Sequence, residues 1–383
     1  MADTYRHAYI TIAATGSKNS EEGCFRKAST GAIARPLRKT PGMVVRERRW
    51  PDAPLLELKD DPDFADYPLL HRAWVYQERR MSRRMVHFTN SQLVWECQRF
   101  IQGEDGATLN KEDSTAVCSG CNSTSVSPDW KITVEEYSNL QLSFEKDRLP
   151  AISAVVQAEM RTRKDDVYMA GMWRNSLLED LLWFRTWTSE VFLHEAGPRP
   201  ERMSPSWSWT SVKGQVKFPV TVLPPKQYVQ LEGVQMTEIS YIAKGLAHMG
   251  EYSEASITLR APFTEATFPS SQSGSDPDMH DLRAKWDSSY PQIRACGTHA
   301  DYDFLNIQDQ DLDSQQYAFV FIRLQFSWGE GLVLRRRSDT EYERIGFCSC
   351  YVGDSGSDGD TSVEEQLLRS YLSSLPLREV KII

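Results

Sequence analysis

The segment RAWVYQERRMSRRMVHFTNSQLVWEC, residues 72–97, joins two hydrophobic patterns of different period. Around its start, apolar residues recur at helical spacing, which predicts a helix over residues 67–80. The residues that share this face are Leu69, Leu70, Ala73, Trp74 and Gln77. Residues 85–97 alternate instead, with Val86 and Phe88 on one arm and Leu93 and Trp95 on the other, which predicts a hairpin that turns at Thr89-Asn90-Ser91.

Outward from this segment, the chain changes from helical to strand-like patterns. Residues 5–15 predict a buried strand or a helix end that runs into one, and residues 131–195 have helical periodicity. From Pro205 onward, short β-rich runs alternate with turn residues, until VEEQLLRSYLSSL predicts a C-terminal helix. We therefore predict an α+β fold, in which a helix-rich N-terminal and middle part packs on a β-rich, barrel- or sandwich-like C-terminal half.

Two polar stretches interrupt these patterns. Residues 104–130 are rich in Ser, Thr, Gly and Asp and predict a mobile loop. Residues 269–315 are rich in Ser, Asp, Pro and Gln and predict a flexible insert. A chain of 383 residues is long enough for two cores, and we place the domains at residues 1–200 and 201–383.

The stretch PSWSWTSVKG, residues 205–214, contains two closely spaced tryptophans. In an extended strand, Trp207 and Trp209 would point to the same face. Two indoles on one face need either a large apolar core or a large apolar ligand. The pattern is therefore compatible with core packing and with one wall of a binding pocket.

Composition and charge exclude several classes of protein. The net charge of −9 argues against a nucleic-acid groove, which needs a basic face. The first residues lack a basic segment followed by an apolar one, so no signal peptide is predicted. No apolar run is long enough to cross a bilayer, and we therefore predict a cytoplasmic protein without a membrane span.

Motifs for metals and cofactors are absent from the sequence. Cys118 and Cys121 form a CxxC, but a structural zinc site needs a second pair of ligands at similar spacing. The chain has no GxGxxG before a helix, no P-loop, no GxSxG and no HExxH. We therefore predict no metal and no cofactor.

The candidate site residues are polar side chains within apolar surroundings and the tryptophans beside them. The candidate catalytic residues are Glu78, Arg79, His87, Glu96 and Arg174. The candidate substrate-binding residues are Trp74, Trp95, Trp173, Trp207 and Trp209, out of eleven tryptophans in the chain. Each polar residue has an alternative interpretation as part of a buried ion pair or hydrogen bond that holds a helix to a strand.

Four stretches together resemble the fungal heterokaryon-incompatibility (HET) domain and its usual extension. They are AYITIAATGS at 8–17, RAWVYQERRMSRRMVHFTNSQLVWEC at 72–97, MAGMWRNSLLEDLLWF at 169–184 and PSWSWTSVKG at 205–214. The second stretch is the most specific one. The N-terminal half of the family's domain, which carries motifs like LSYCWG and is proposed to resemble Toll/interleukin-receptor domains, has no counterpart in this sequence.

The resemblance leads to two hypotheses of different class. One is a degenerate incompatibility factor, which would be an interaction or cell-death protein without enzymatic activity. The other is a HET-derived cofactor-free cyclase or isomerase of fungal secondary metabolism, such as an intramolecular Diels–Alder pericyclase, with a hydrophobic terpenoid or polyketide substrate in an aromatic-lined pocket. Loss of the N-terminal half would uncover apolar surface, which a pocket or a homo-oligomer would cover. On the sequence alone, the enzyme is favoured.

Overall fold

The computed structural model describes twelve segments of the chain, which are residues 2–25, 35–36, 42–45, 67–104, 106–111, 130–186, 204–219, 228–266, 293–301, 316–325, 328–352 and 361–383. The chain divides into two compact units, residues 1–164 (unit 1) and 165–383 (unit 2). The domain boundary predicted from the sequence, between residues 200 and 201, lies later in the chain. Both helices and several sheets are present, which confirms the mixed α+β class.

Unit 1 combines four α-helices with one main sheet. The helices are α1 Ala2–His7, α2 Ala73–Met81, α3 Trp130–Ser138 and α4 Ser153–Thr162, with 3-10 turns at Pro68–His71, Glu145–Asp147 and Pro150–Ile152. The strands are β1 Thr11–Ala13, β2 Arg35–Pro36, β3 Val44–Val45, β4 Arg84–Phe88, β5 Leu93–Cys97, β6 Phe100–Gly103 and β7 Thr108–Asn110. The main sheet has the order β1-β4-β5-β6-β7, in which β1 is parallel to β4 and the other pairs are antiparallel.

The segment over residues 67–97 has the predicted form of a helix followed by a hairpin. The helix is interrupted at Arg72, whose backbone is extended, so that the 3-10 turn Pro68–His71 precedes α2. The helix end and strand predicted over residues 5–15 are also confirmed as α1 and β1. β7 lies within the region predicted as a mobile loop, and residues 112–129 of that region lie outside the described residues.

The β4–β5 hairpin buries its polar side chains. Residues opposite each other in an antiparallel pair point to the same face, and His87 pairs with Val94 while Met85 pairs with Glu96. All four side chains are buried. The apolar residues of the alternating pattern therefore point to the other face of the sheet, where Leu93 is 41% exposed.

Unit 2 is dominated by one large sheet. Its helices are α5 Leu177–Asp180 and α6 Thr361–Ser374, and its 3-10 turns are Arg174–Ser176, Trp209–Ser211 and Ala247–Met249. Its strands are β8 Tyr168–Met169, β9 Met172–Trp173, β10 Phe184–Arg185, β11 Val216–Lys217, β12 Tyr228–Gln230, β13 Gln235–Ala243, β14 Tyr252–Ala266, β15 Ile293–Ala300, β16 Tyr317–Gln325, β17 Trp328–Arg336, β18 Glu341–Val352 and β19 Leu377–Ile382. The main order is β12-β16-β17-β18-β19-β14-β13, with β15 paired to β18 and a further pairing of β14 with β16.

The structure corrects two sequence predictions in unit 2 and confirms a third. Residues 169–184 are not one helix, because a tight turn with positive φ at Ala170 and Gly171 makes a β8–β9 hairpin before the short α5. The predicted insert at 269–315 contains β15, and its remaining residues, apart from Asp301, lie outside the described residues. The predicted C-terminal helix is confirmed as α6.

The segment that contains Trp207 and Trp209 is a turn rather than a strand. The Ser208 side chain accepts a hydrogen bond from Thr210 N at 3.0 Å and starts the 3-10 turn Trp209–Ser211. Both indoles are fully buried, and Trp209 Nε1 donates to Gly171 O at 2.8 Å. A Cβ on Gly171 would lie only 2.8 Å from that nitrogen, so this close approach needs glycine. The complete burial of Trp207 and Trp209 agrees with the interpretation that the two indoles are packed in a core.

Candidate functional site

A buried chain of three polar side chains crosses the main sheet of unit 1. The Thr15 Oγ1 atom lies 2.9 Å from His87 Nδ1, and His87 Nε2 lies 2.7 Å from Glu96 Oε2. Thr15 follows β1, His87 is on β4 and Glu96 is on β5, so adjacent strands supply the three groups. The order hydroxyl–imidazole–carboxylate is the one that nucleophilic catalysis uses.

Two cations complete this centre at Glu96. Arg79 Nε and Nη2 donate to the two carboxylate oxygens at 2.8 and 3.0 Å, a bidentate arrangement that fixes both groups. Lys111 Nζ donates to Oε1 at 2.9 Å. Arg79 comes from the last turn of α2 and Lys111 follows β7, so Glu96 ties one helix and the far strand to the middle of the sheet.

The charge of Glu96 is fixed by its neighbours. Burial alone would raise the pKa of this carboxyl, but the charges of Arg79 and Lys111 and the hydrogen bond from His87 hold the pKa well below its usual value. Glu96 is therefore an acceptor only. With no proton of its own at neutral pH, it cannot serve as a general acid.

His87 is held in its neutral form. Burial lowers its pKa, assisted by the charges of Arg79 and Lys111, against the opposing effect of Glu96. Because a carboxylate only accepts hydrogen bonds, the ring proton lies on Nε2, and Nδ1 accepts from the Thr15 hydroxyl. The imidazole thus has the orientation of a general base toward Thr15.

Access argues against catalysis at this centre. Thr15 and His87 are fully buried, and Glu96 is 7% exposed. A general base must come within hydrogen-bond reach of a substrate proton, and a nucleophilic hydroxyl must reach the substrate itself. Within the described residues, these side chains form a buried network of hydrogen bonds and ion pairs that fixes α2 on the sheet.

The sequence-predicted catalytic residues fall into two groups. Arg79, His87 and Glu96 meet at the buried centre. Glu78 points away from it, toward Tyr5 and Arg72, and burial raises its pKa in spite of both neighbours. Arg174 belongs to unit 2 and is exposed in the 3-10 turn that follows β9.

The predicted substrate-binding tryptophans are divided between the two units. Trp74 is on α2 in unit 1 and donates to Asp147 Oδ2 at 3.3 Å. Trp95 is on the outward face of β5 and partly exposed. Trp173 is fully buried in unit 2, with its ring centroid 5.2 Å from that of Tyr168, and Trp207 and Trp209 are buried in the turn described above.

Sequence reasoning missed Thr15 and Lys111 at the buried centre of unit 1. It also missed a fully buried ion pair in unit 2, in which Arg344 Nε donates to Asp301 Oδ2 at 3.1 Å. Thr15 directly precedes the Gly16-Ser17 turn of a recognisable stretch, a weak signal that could have drawn attention to it. Lys111 and Asp301 lie in polar segments whose composition gave no sign of a role.

Unit 2 contains an open groove of about 410 Å³. It is lined by aromatic, cationic and acidic side chains from β14, β16, β19 and the β17–β18 turn. The aromatic members are Phe263, Tyr317 and Tyr342. None of the sequence-predicted site residues lines it.

Among the described residues, no group of three or more His, Cys, Asp or Glu side chains is arranged to hold a metal ion. Cys118 and Cys121 lie outside the described residues. No helix in the described part of the chain is long and apolar enough to cross a membrane.

We expect unit 1 to lose stability as the pH falls below about 6.5, the usual pKa of an unfolded histidine. The folded-state pKa of His87 is lowered, so the unfolded chain takes up this proton first. Stability is therefore complete above about pH 6.5 and is lost toward the lowered folded pKa, at up to about 1.4 kcal/mol per pH unit. Hydrogen exchange of peptides from β4 and β5, corrected for the intrinsic rate at each pH, measures this loss.

The His87→Gln variant should remove this part of the pH dependence. The matched control is His248→Gln in unit 2, because burial also lowers the pKa of His248 and yet this residue lies outside the buried centre. Equal slopes for wild type and His87→Gln between about pH 5 and 6.5 would contradict the neutral state assigned to His87.

Comparison of the chain with protein-family models, with curated proteins and with solved structures gave no match. The resemblance to the HET family accordingly remains a prediction from the sequence stretches that carry it.

Proposed function

We propose that this chain is a HET-like incompatibility protein that acts by binding a partner protein, without enzymatic activity at its buried polar centre. The observation that carries the proposal is an apolar outward face on the main sheet of unit 1. A second support is that the predicted catalytic groups Arg79, His87 and Glu96 are already paired with one another, with His87 and Glu96 buried and Arg79 partly buried.

The outward face is formed by cross-strand neighbours. Ile12 pairs with Val86, Val86 pairs with Trp95, and Phe88 pairs with Leu93, so these side chains point to the same side of the sheet. Ile12 is 66% exposed and Leu93 41% exposed. Contiguous exposed apolar side chains are typical of a protein-binding surface, because they gain free energy when a partner removes them from water.

Aromatic residues extend this outward face. The Phe25 ring packs edge-to-face on Phe88 with centroids 5.8 Å apart and is itself 87% exposed. At the other end, the Arg84 guanidinium lies 4.9 Å from the Tyr9 ring centroid. Aromatic and arginine side chains are enriched in the residues that contribute most to binding.

The test is a double variant, Ile12→Lys with Leu93→Lys, expressed at wild-type level in a fungal host. Both side chains are exposed, so we expect the variant to fold and to lose any cell-death or fusion-incompatibility response that the wild type produces. The matched control is Val229→Lys with Ile242→Lys, which changes two exposed apolar residues of unit 2 and should leave the response intact.

The proposal fails if the wild type gives no such response, or if the double variant keeps it while remaining folded by circular dichroism. The partner can also be a second copy of this chain. In that case the wild type would form a concentration-dependent dimer by sedimentation, and the double variant would stay monomeric at the same concentrations.

The second candidate is the cofactor-free cyclase or isomerase, which the groove of unit 2 favours. A cavity of about 410 Å³ with Phe263, Tyr317 and Tyr342 in its lining is within the range of small-molecule sites. Deletion of the gene and comparison of culture extracts by liquid chromatography and mass spectrometry tests it. Disappearance of one compound with appearance of an isomer or an uncyclised precursor supports the enzyme, and an unchanged extract opposes it.

The predicted barrel- or sandwich-like form of the C-terminal half is also kept as a proposal. Its support is that β14 pairs with β19 and with β16. The sequence of pairings β16-β17-β18-β19-β14 thus leads back to β16.

A further inference from the structure

The groove of unit 2 lies where β14 changes neighbours. Along β14, residues as far as Pro262 pair with β19, and residues from Phe263 onward pair with β16. Proline has no backbone N–H to donate, so it fits the end of a pairing. Side chains from β16, β19 and the β17–β18 turn close the groove around this point.

One cation of the groove, Arg378, stacks on an aromatic ring. The Arg378 guanidinium lies 4.7 Å from the centroid of the Phe263 ring. Arg378 is exposed and, within the part of the chain that the structure describes, makes no hydrogen bond or ion pair. An arginine stacked on an aromatic ring keeps its N–H edge free, and that edge matches the two oxygens of a carboxylate.

Two other cations in the lining are already neutralised. Arg336 Nη2 donates to Asp339 Oδ1 at 2.9 Å, and Arg336 Nε donates to Ser338 O. Lys381 Nζ donates to Glu341 Oε1 at 3.0 Å. Neither side chain is therefore available to a ligand without loss of an existing contact.

Two acidic residues of the lining limit the charge that a ligand can carry. Glu379 is the cross-strand neighbour of Arg260, whose charge offsets it. Glu265 lies two residues beyond Phe263 on the same strand, and so points to the same side of β14 as the ring under Arg378. A single carboxylate at Arg378 is compatible with this arrangement, whereas a multiply charged anion would be repelled by Glu265.

The rest of the groove suits an apolar ring or chain. Phe263 and Tyr342 pack edge-to-face with centroids 6.2 Å apart. Phe263 and Tyr317 are 3% and 2% exposed, so the partly exposed Tyr342 ring is the aromatic surface that a ligand can reach. A ligand that places its apolar part here gains burial, and its carboxylate gains charge-assisted hydrogen bonds.

We propose that this groove is a binding site for a small organic acid, with its carboxylate on Arg378 and its apolar part against the Tyr342 ring. The site lies within unit 2 and is independent of the outward face in unit 1. The ligand class follows from the Arg378 guanidinium and the Tyr342 ring together, because either feature alone would fit other ligands.

The probe is phenylbutyrate, titrated into the full-length chain by calorimetry, with its uncharged amide as the matched ligand. We expect the amide to bind about tenfold more weakly, which corresponds to about 1.4 kcal/mol. The Arg378→Gln variant should weaken phenylbutyrate by about the same factor and leave the amide unaffected. Glu265→Gln should tighten the binding of phenylbutyrate.

The matched control is Arg369→Gln, which removes an exposed arginine of α6 that does not line the groove. It should change the affinity by less than about twofold. The proposal is overturned if phenylbutyrate does not bind up to millimolar concentration, if acid and amide bind equally, or if Arg378→Gln behaves as wild type. Weaker binding by Glu265→Gln would also overturn it, because that result indicates recognition of a cation.

Discussion

Replacement of Glu96 with glutamine is expected to lower the free energy of unfolding of unit 1 by about 3–5 kcal/mol. The variant keeps the size of the side chain but removes the negative charge of Glu96, which contacts both Arg79 and Lys111 at the buried centre. Two cations would then lie together in a site where burial has removed much of their hydration. Urea unfolding followed by hydrogen exchange of peptides from β5 measures the loss.

The matched control for this prediction is Glu104→Gln, a carboxylate of the same sheet that is exposed and contacts Leu93 N. We expect it to cost less than about 1 kcal/mol. Addition of Lys111→Met to Glu96→Gln should recover part of the lost stability, since it removes one of the two cations that the Glu96 carboxylate contacts. A Glu96→Gln variant as stable as the control would mean that the charge network does not hold α2 to the sheet.

The segment over residues 67–97 could be predicted because its signals are local. Helical spacing before Ser82 and alternation after it depend only on neighbours in the sequence, and both elements form. The alternation alone could not show which face of the β4–β5 hairpin is buried. The sheet buries His87 and Glu96. The ion pairs that offset the cost of burying the Glu96 charge come from Arg79 and Lys111, which lie on other elements.

The partners of this buried centre could not be found from the sequence for a physical reason. Thr15 and His87 are 72 residues apart, and their contact exists only because β1 lies parallel to β4. Arg79 and Lys111 meet Glu96 from elements on opposite sides of it in the chain. Such contacts are fixed by the register of the sheet, which no local pattern encodes.

Turn chemistry accounts for the two clear errors in unit 2. Residues 169–184 are apolar enough to resemble a helix, but Ala170 and Gly171 adopt positive φ and reverse the chain. In the tryptophan stretch, Ser208 bonds the backbone two residues on and starts a turn, so alternation did not mean a strand. In both places a local side-chain or glycine conformation prevailed over the hydrophobic pattern.

We expect Arg344→Met to destabilise unit 2 by about 3–5 kcal/mol, because Arg344 is a fully buried charge. Its guanidinium is fully buried, pairs with Asp301, and donates to the backbone oxygens of Leu181 and Trp183. It also stacks 3.4 Å from the centroid of the Trp183 ring. The substitution removes the guanidinium donors from a carboxylate and two carbonyl oxygens in the core.

The control for Arg344→Met is Arg369→Met, which breaks an exposed ion pair with Glu365 on α6 and should cost less than about 1 kcal/mol. The double variant Arg344→Met with Asp301→Leu separates two causes of the loss. If the loss of the guanidinium beside the Asp301 carboxylate dominates, the double variant is more stable than Arg344→Met alone. If the lost donors to Leu181 and Trp183 dominate, the second change recovers nothing, and guanidinium-to-backbone bonding is then the contact that fixes residues 181–183 against β18.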